Sequence, residues 1–318
     1  MQVVRSQQPV PAELKGSVIA IGNFDGVHLG HQAVIRKEEG LARSLGAPFA
    51  AMLFEPHPRQ HFQPDRPFFR LTSLAYKLEL LAELGLDMAV VVDFDAALAS
   101  LTARDFVQQL LVDWLAVRHV VVGYDFNFGR GRLGTPEVLR ALGQDLGFGV
   151  TVVEAAVADG MKHSSSRVRE LLEAGDAEGA AAVLGRFFQV EGVVIGGAKI
   201  GTGIGFPTAN LALEPGMALK HGIYAARVHV DGQTHDAAAY LGKRPTIDNG
   251  KPVLEVFLLD FDGDLYGKSI RVEFVAHLRE DRAFPGLAEL SRQIAEDVAQ
   301  SRRVLQSQRK ALADSGRT

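Results

Sequence analysis

The 318-residue chain contains no cysteine. A disulfide scaffold, an iron–sulfur cluster, a thiolate zinc site and a cysteine nucleophile are thereby excluded, and a reducing cytosol is the natural setting. No apolar run reaches the ~18 residues needed to cross a bilayer. Residues 1–16 (MQVVRSQQPVPAELKG) lack the apolar stretch of a secretory signal. An excess of one charge is missing too: 34 Lys+Arg against 38 Asp+Glu leave a formal net charge of −4, which gives no electrostatic case for nucleic acid. The Walker sequence GxxxxGK[ST] occurs nowhere, so the P-loop route to phosphoryl transfer is closed. There is no internal repeat and no low-complexity tract. What remains is an ordinary globular composition, 47% hydrophobic and 23% charged. At roughly 150 residues per domain the length fits two domains, each able to bury its own core. The expectation is a cytoplasmic two-domain protein with neither membrane nor nucleic-acid partner; the sequence carries no signal of oligomeric state.

The two halves differ in texture. Apolar β-type runs at 18–21, 49–54, 89–93, 119–122 and 150–154 alternate with helical patterns at 31–44, 73–84, 102–115, 136–146 and 164–172. Strands without strict alternation, separated by helices of this length, predict βαβ units and a parallel sheet covered on both faces. Beyond about residue 185 glycines multiply and β-rich runs follow one another at 188–195, 222–230, 235–240, 253–261 and 269–277. That spacing predicts a small antiparallel barrel, with Asp231-Gly232 and Asp262-Gly263 as hairpin turns. Leu287, Leu290, Ile294 and Val298 form the apolar stripe of a C-terminal helix, and residues 310–318 read as its frayed end. The fold class is α/β, a Rossmann-like domain over 1–185, followed by a β-barrel with a terminal helix over 186–318.

Residues 21–31, IGNFDGVHLGH, are the most informative. A strand ends, two glycines permit a tight turn, and His28 and His31 open a helix on one face. Free N–H groups and the dipole at a helix N-terminus favour phosphate, and imidazoles placed there can stabilise charge developing on an attacked phosphoanhydride. Two histidines at this spacing can equally form a surface capping pair. The full string after a first strand resembles the signature of the HxGH nucleotidylyltransferases. A second element, HSSSRVR at 163–169, puts hydroxyls and arginines at a helix start, a second anion site; alone it reads as a serine cap with solvent-facing arginines. Between them Gly129, Gly131 and Gly134 satisfy GxGxxG, the dinucleotide fingerprint. That fingerprint normally follows the first strand of its domain, where this chain carries the histidines, so the segment reads instead as a mobile loop. Arg130 and Arg132 can approach phosphates from it, and Asp125 at the strand end is placed to contact nucleotide. Pro56 and Pro58 predict an extended loop at the carboxyl edge of the sheet. Phe54, Phe62, Phe126 and Phe128 offer aromatic faces for a planar ring.

In the second half, KIGTGIGFPTAN at 199–210 combines glycines that let backbone approach an anion with a hydroxyl and an amide at Thr208 and Asn210. These are hard oxygen donors suited to Mg²⁺ held mainly by nucleotide phosphates. Glu255 sits in a strand run that is apolar around it; a carboxylate there is in a salt bridge or acts as a general base, and Arg244 is a candidate partner.

GNFDGVHLGH, GYDFNFG, SSSRVR, GIGFPTAN, HGIYAARV, LGKRPT and EVFLLDFDGDLYGK together, in order and over nearly the whole chain, resemble the bacterial bifunctional riboflavin kinase/FMN adenylyltransferase (FAD synthetase) family. The resemblance implies ATP, riboflavin and FMN as ligands, Mg²⁺ with the nucleotide, and FMN and FAD as products. It implies an adenylyl-donor site of Gly22, Asn23, Phe24, His28, His31, Asp125, Ser165, Ser166 and Arg169, with Phe62 and Phe128 against flavin. For the kinase it implies nucleotide contacts from Gly203, Gly205, Pro207, Thr208 and Asn210, metal ligation by Thr208 and Asn210, and Glu255 as base. Two positions depart from the family pattern: Asp125 and Tyr240 stand where Asn is usual.

Overall fold

The computed structural model describes residues 1–6, 8–154, 157–158, 161–196, 205–213, 216–243 and 252–314. The chain forms two compact units, Met1–Ser165 and Ser166–Thr318.

The first unit is built on a six-stranded sheet of β1 (Gln2–Arg5), β2 (Val18–Ile21), β3 (Phe49–Glu55), β4 (Met88–Asp93), β5 (His119–Gly123) and β6 (Gly149–Val153), in the order β1-β4-β3-β2-β5-β6. Every pairing is parallel. The inner strands are buried on both faces, which is why they read as continuous apolar runs. Ile19, Met52, Val90 and Val120 enter one core, while Ala20, Leu53, Val91 and Val121 enter the other. The helices are α1 (Leu29–Leu45), α2 (Pro58–Phe62), α3 (Leu74–Glu83), α4 (Ala96–Ser100), α5 (Ala103–Phe106), which runs on into π-helical turns over Val107–Trp114, and α6 (Pro136–Leu146). Ser73, Thr102 and Thr135 cap α3, α5 and α6 through the backbone N–H three residues on. Strand β2 lies between β3 and β5, so strand order reverses there; in open α/β sheets ligands bind at the carboxyl ends of the strands flanking that point.

Some local features differ from expectation. Strand β1 buries only Val4, too little pattern to stand out in sequence. The predicted proline loop is the short helix α2, with Pro58 at its first turn and His57 capping Arg59 N–H. The GxGxxG segment is packed: Phe128 and Gly134 pair as a β-bridge and Arg130 N–H donates to the Leu101 carbonyl at 2.7 Å. A Cβ at Gly129 would lie 2.8 Å from the Ala103 nitrogen, and one at Gly134 2.7 Å from the Phe128 ring. These two glycines serve close packing against neighbours within the protein.

Two short strands, β7 (Val157–Ala158) and β8 (Met161–Lys162), pair antiparallel after β6. The second unit is a closed antiparallel barrel of β9 (Phe188–Ile195), β10 (Ala209–Leu211), β11 (Gly222–Val230), β12 (Gln233–Lys243), β13 (Pro252–Leu258) and β14 (Ser269–Arg279), ordered β10-β13-β12-β11-β14-β9 with β9 also paired to β10. Asp231 and Gly232, at φ 51° and 75°, form the two-residue turn of the β11–β12 hairpin. Asp262-Gly263 is not a hairpin turn: β13 and β14 are not neighbours, and the segment crosses between them. Helix α7 (Ser165–Ala174) enters this unit, and α8 (Ala177–Leu184) packs on β9 and β14. The terminal helix α9 (Leu287–Asp314) runs helical to Asp314 and lies against β11, β12 and β14. Its buried line is Asp297, Ser301 and Leu305, while Leu287 is exposed. Bidentate pairs Arg279–Asp297, Arg302–Asp260 and Arg309–Asp236 fasten it.

Candidate active sites

The turn after β2 holds the two histidines at the switch point. Gly22 takes the ring of Phe24 across it, with 3.3 Å to the place of a Cβ. Phe24, Gly26 and Val27 all adopt positive φ, at 48°, 85° and 40°, a strained path for the two side-chain-bearing residues. Buried groups hold that path from beneath. The Asp25 carboxylate accepts from the Leu71 and Thr72 backbone N–H groups at 3.0 and 3.2 Å, and Gly26 N–H donates to Thr72 Oγ1 at 3.1 Å. Ser165 Oγ, at the end of the first unit, donates to the Asp25 carbonyl at 2.8 Å. Lys77 Nζ donates to the Asn23 carbonyl at 2.9 Å. Behind them Arg70 grips Glu55 with its two terminal guanidinium nitrogens.

His28 is the N-cap of α1 and 6% exposed; its Nδ1 accepts the His31 N–H at 3.3 Å. That role places the proton of the neutral ring on Nε2, which becomes the donor. The two imidazoles stack at 3.6 Å, and Phe24 meets His31 edge-on at 5.3 Å. Burial, then the neighbouring His28 and Lys77, hold His31 well below the usual imidazole range, so it is neutral at pH 7. Among the described residues His31 Nδ1, Asn23 Oδ1 and His163 Nδ1 are buried without a hydrogen-bond partner. Such groups are costly unless a ligand completes them. Gly30, between the histidines, is enforced by space: a Cβ would lie 2.8 Å from the His163 carbonyl and 2.9 Å from the His28 ring.

Asp125 lies exposed just beyond β5. Ser166 and Arg169 follow Ser165 on the first turns of α7, within the second unit. Phe62 on α2 is 63% exposed and meets Phe94 at 5.6 Å. Phe128, by contrast, is 6% exposed and stacked on Phe126 in the core, so packing consumes the face expected for flavin.

The barrel carries its candidate residues on its outer wall. On β13, Leu254, Val256 and Leu258 turn inward and Val253, Glu255 and Phe257 lie half-buried outside. This is an ordinary alternation, hidden in sequence because the outer positions are also apolar. Glu255 stands opposite Asn210 on β10 and Tyr240 on β12. Thr208 Oγ1 donates to Glu255 Oε2 at 3.3 Å, and the Asn210 amide donates to the Thr208 carbonyl at 3.3 Å, leaving Oδ1 as an oxygen donor. Tyr240 OH donates to Asp281 Oδ2 at 2.9 Å. Gly205 and Pro207 precede this row; Gly203 and Arg244 lie outside the described residues. A hydroxyl, an amide oxygen and a carboxylate are the donor chemistry that suits Mg²⁺ carried by nucleotide phosphates. No cluster of three or more His, Cys, Asp or Glu residues with metal-site geometry occurs among the described residues.

A phosphate-directed α/β unit and a barrel with a carboxylate beside hard oxygen donors define a two-domain transferase acting on nucleotides. The FAD synthetase family model matches residues 10–167 and the riboflavin kinase model residues 184–305. The chain is 41% identical over 303 residues to the bifunctional riboflavin kinase/FMN adenylyltransferase of Pseudomonas fluorescens, covering 95% of this chain and 97% of that one. It is 36% identical to the Bacillus subtilis protein of the same name, covering 95% and 96%. The chain belongs to the bifunctional riboflavin kinase/FMN adenylyltransferase family. A solved structure named as a macrolide-efflux protein from Streptococcus pneumoniae has the same fold at TM-score 0.84 and 28% identity, covering 94% of this chain and 98% of that one. No helix among the described residues is long and apolar enough to cross a membrane.

Sequence reading did not single out Lys77, Thr72, the Arg70–Glu55 pair or the Tyr240–Asp281 bond. For Lys77 a signal existed, a lysine on the apolar stripe of α3 beside Leu74 and Leu81. Gly30→Ala is expected to lower FAD formation about tenfold or more, because overpacking costs roughly 1–3 kcal/mol at the point where the His28 ring is seated. The FMN-to-FAD rate measures this, and riboflavin phosphorylation should not change. A wild-type FMN-to-FAD rate would show that the close fit is dispensable.

Proposed function

We propose that the chain performs two successive transfers from ATP: phosphorylation of riboflavin to FMN on the barrel, then adenylylation of FMN to FAD in the α/β unit. The observation that carries this reading is the co-occurrence of the two matched domains; the stacked pair His28–His31 and the Thr208–Glu255 hydrogen bond support it.

On the barrel, Glu255 accepts the proton of the ribityl hydroxyl as that oxygen bonds to the γ-phosphorus; the bond to the bridging oxygen breaks and ADP leaves. Thr208 and Asn210 would hold Mg²⁺–ATP, with Gly205 and Pro207 beside them and Gly203 assigned to the nucleotide by the resemblance alone; an ion bound there would offset phosphate charge.

In the α/β unit a phosphate oxygen of FMN bonds to the α-phosphorus of ATP, the α–β bridge breaks, and pyrophosphate leaves. No covalent enzyme intermediate is required. His28 donates from Nε2 and the α1 terminus adds its N–H groups and dipole. His31, neutral and stacked on His28, stabilises the same developing charge. Gly22, Asn23 and Phe24 shape the turn around the nucleotide, Asp125 contacts it, and Ser165 braces the turn through the Asp25 carbonyl; the resemblance alone assigns Ser166 and Arg169 to the β- and γ-phosphates. Phe62 offers its ring to the flavin. Both steps consume ATP, which supports a cytoplasmic location.

The test is incubation with riboflavin, ATP and Mg²⁺, with products separated by chromatography. FMN should appear first and FAD after it, supplied FMN should yield FAD directly, and chelation of the metal should stop phosphorylation. A folded, metal-replete preparation that forms neither nucleotide would overturn the proposal.

A further inference from the structure

We propose that Lys77 is a positioning residue of adenylyl transfer, holding the 22–27 turn through the Asn23 carbonyl and supplying a fixed positive charge behind the histidine pair. The inference rests on the adenylyltransferase reading above and adds a residue to it.

Lys77 is 1% exposed, on the face of α3 that otherwise carries Tyr76, Leu80 and Leu81 into the core. An apolar side chain would suit that stripe better, since a buried ammonium is expensive unless it is used. Its Nζ reaches one carbonyl, that of Asn23, at 2.9 Å. The two acids that act on it electrostatically, Asp25 and Glu55, are engaged elsewhere. Asp25 accepts from the Leu71 and Thr72 N–H groups, and Glu55 is held by Arg70. The ammonium therefore underlies the turn without being neutralised at contact distance by either acid.

Two consequences follow for the chemistry. The strained turn is pinned at its first residues, which fixes the entry to α1 and the seat of His28. A cation also sits beneath the place where negative charge grows as pyrophosphate departs, and fixed charge in a dry site is worth more than the same charge in water. The charged and titratable groups around Lys77 are Asp25, Glu55, Arg70 and His31. Burial draws the ammonium down to about 8, Asp25 and Glu55 pull it up and Arg70 pushes it down. The charge is thus present at pH 7 and lost as pH rises through about 8.

The experiment compares full-length wild type, Lys77→Met and Lys77→Arg in FAD formation from FMN, ATP and Mg²⁺. Riboflavin phosphorylation and thermal unfolding are followed in parallel. Lys77→Met should lower kcat for FAD formation about tenfold or more, with the KM for ATP changed about threefold or less, and phosphorylation unaffected. In wild type, kcat/KM for FAD formation should fall as pH passes about 8, whereas the kinase reaction shows no such fall. Lys77→Arg, whose guanidinium stays charged, should recover much of the rate and remove that fall. A wild-type kcat in Lys77→Met overturns the inference, as does an alkaline fall that survives in Lys77→Arg. Should either variant fail to fold, a flat wild-type profile through pH 9 overturns it alone, and an alkaline fall confined to FAD formation supports it. Absence of FAD formation by wild type would instead defeat the adenylyltransferase reading itself.

Discussion

His28→Asn should lower FAD formation from FMN by about 10²–10³-fold, the cost typical of losing one donor to a developing oxyanion, while riboflavin phosphorylation stays at its wild-type rate. Asparagine is chosen because His28 serves two purposes. Its Nδ1 caps α1 by accepting the His31 N–H, and deletion to alanine would cost about 1 kcal/mol through the missing cap alone. Asparagine is a good N-cap, so the helix start survives and only the Nε2 donor and the stacked ring are lost. Unfolding temperature and both activities are measured on one preparation. Retained FAD formation would remove His28 from the chemistry, and loss of both activities in a folded variant would contradict the assignment of the two steps to separate sites.

Glu255→Gln is expected to lower riboflavin phosphorylation by about 10²–10⁴-fold, the usual contribution of a general base, and to leave FMN-to-FAD conversion intact. The substitution is nearly isosteric. Glutamine keeps an acceptor for Thr208 Oγ1, which now reaches Glu255 Oε2 at 3.3 Å, so the local packing is preserved while proton acceptance is lost. FMN release is followed with saturating riboflavin and ATP; undiminished phosphorylation would reject Glu255 as base. Because β13 buries Leu254, Val256 and Leu258 on its other side, the barrel should unfold at the wild-type temperature.

The parallel sheet was legible because β2 to β5 are buried on both faces, and unbroken apolar runs follow from that. The anion-binding turn was legible because its string combines turn glycines with paired imidazoles. What escaped reading depends on tertiary neighbours. Lys77 is meaningful only because α3 carries it under Asn23, fifty-four residues earlier in sequence. Gly30 resembles any helix-start glycine until the His163 carbonyl is seen against it. Phe128 belongs to a motif that resembles flavin-enzyme sequences, yet the β-bridge to Gly134 turns its ring inward. Asp262-Gly263 looks like a hairpin turn; barrel order, which no local pattern encodes, makes it a crossing. Tyr240 meets Asp281 only because β12 ends beside the chain that leaves β14.

The barrel closes through the pairing of β10 with the end of β9, and its described candidate residues lie on the exterior wall, where Glu255 faces away from the Leu254, Val256 and Leu258 interior. If Glu255 is the base proposed above, durability and chemistry are written on opposite sides of the same strand. Substitutions on the outside would then be expected to change the choice of acceptor alcohol without loosening the filling within, and repairs to the filling to leave the outer wall as it was. A barrel so divided is a natural chassis for altered phosphotransfer specificity.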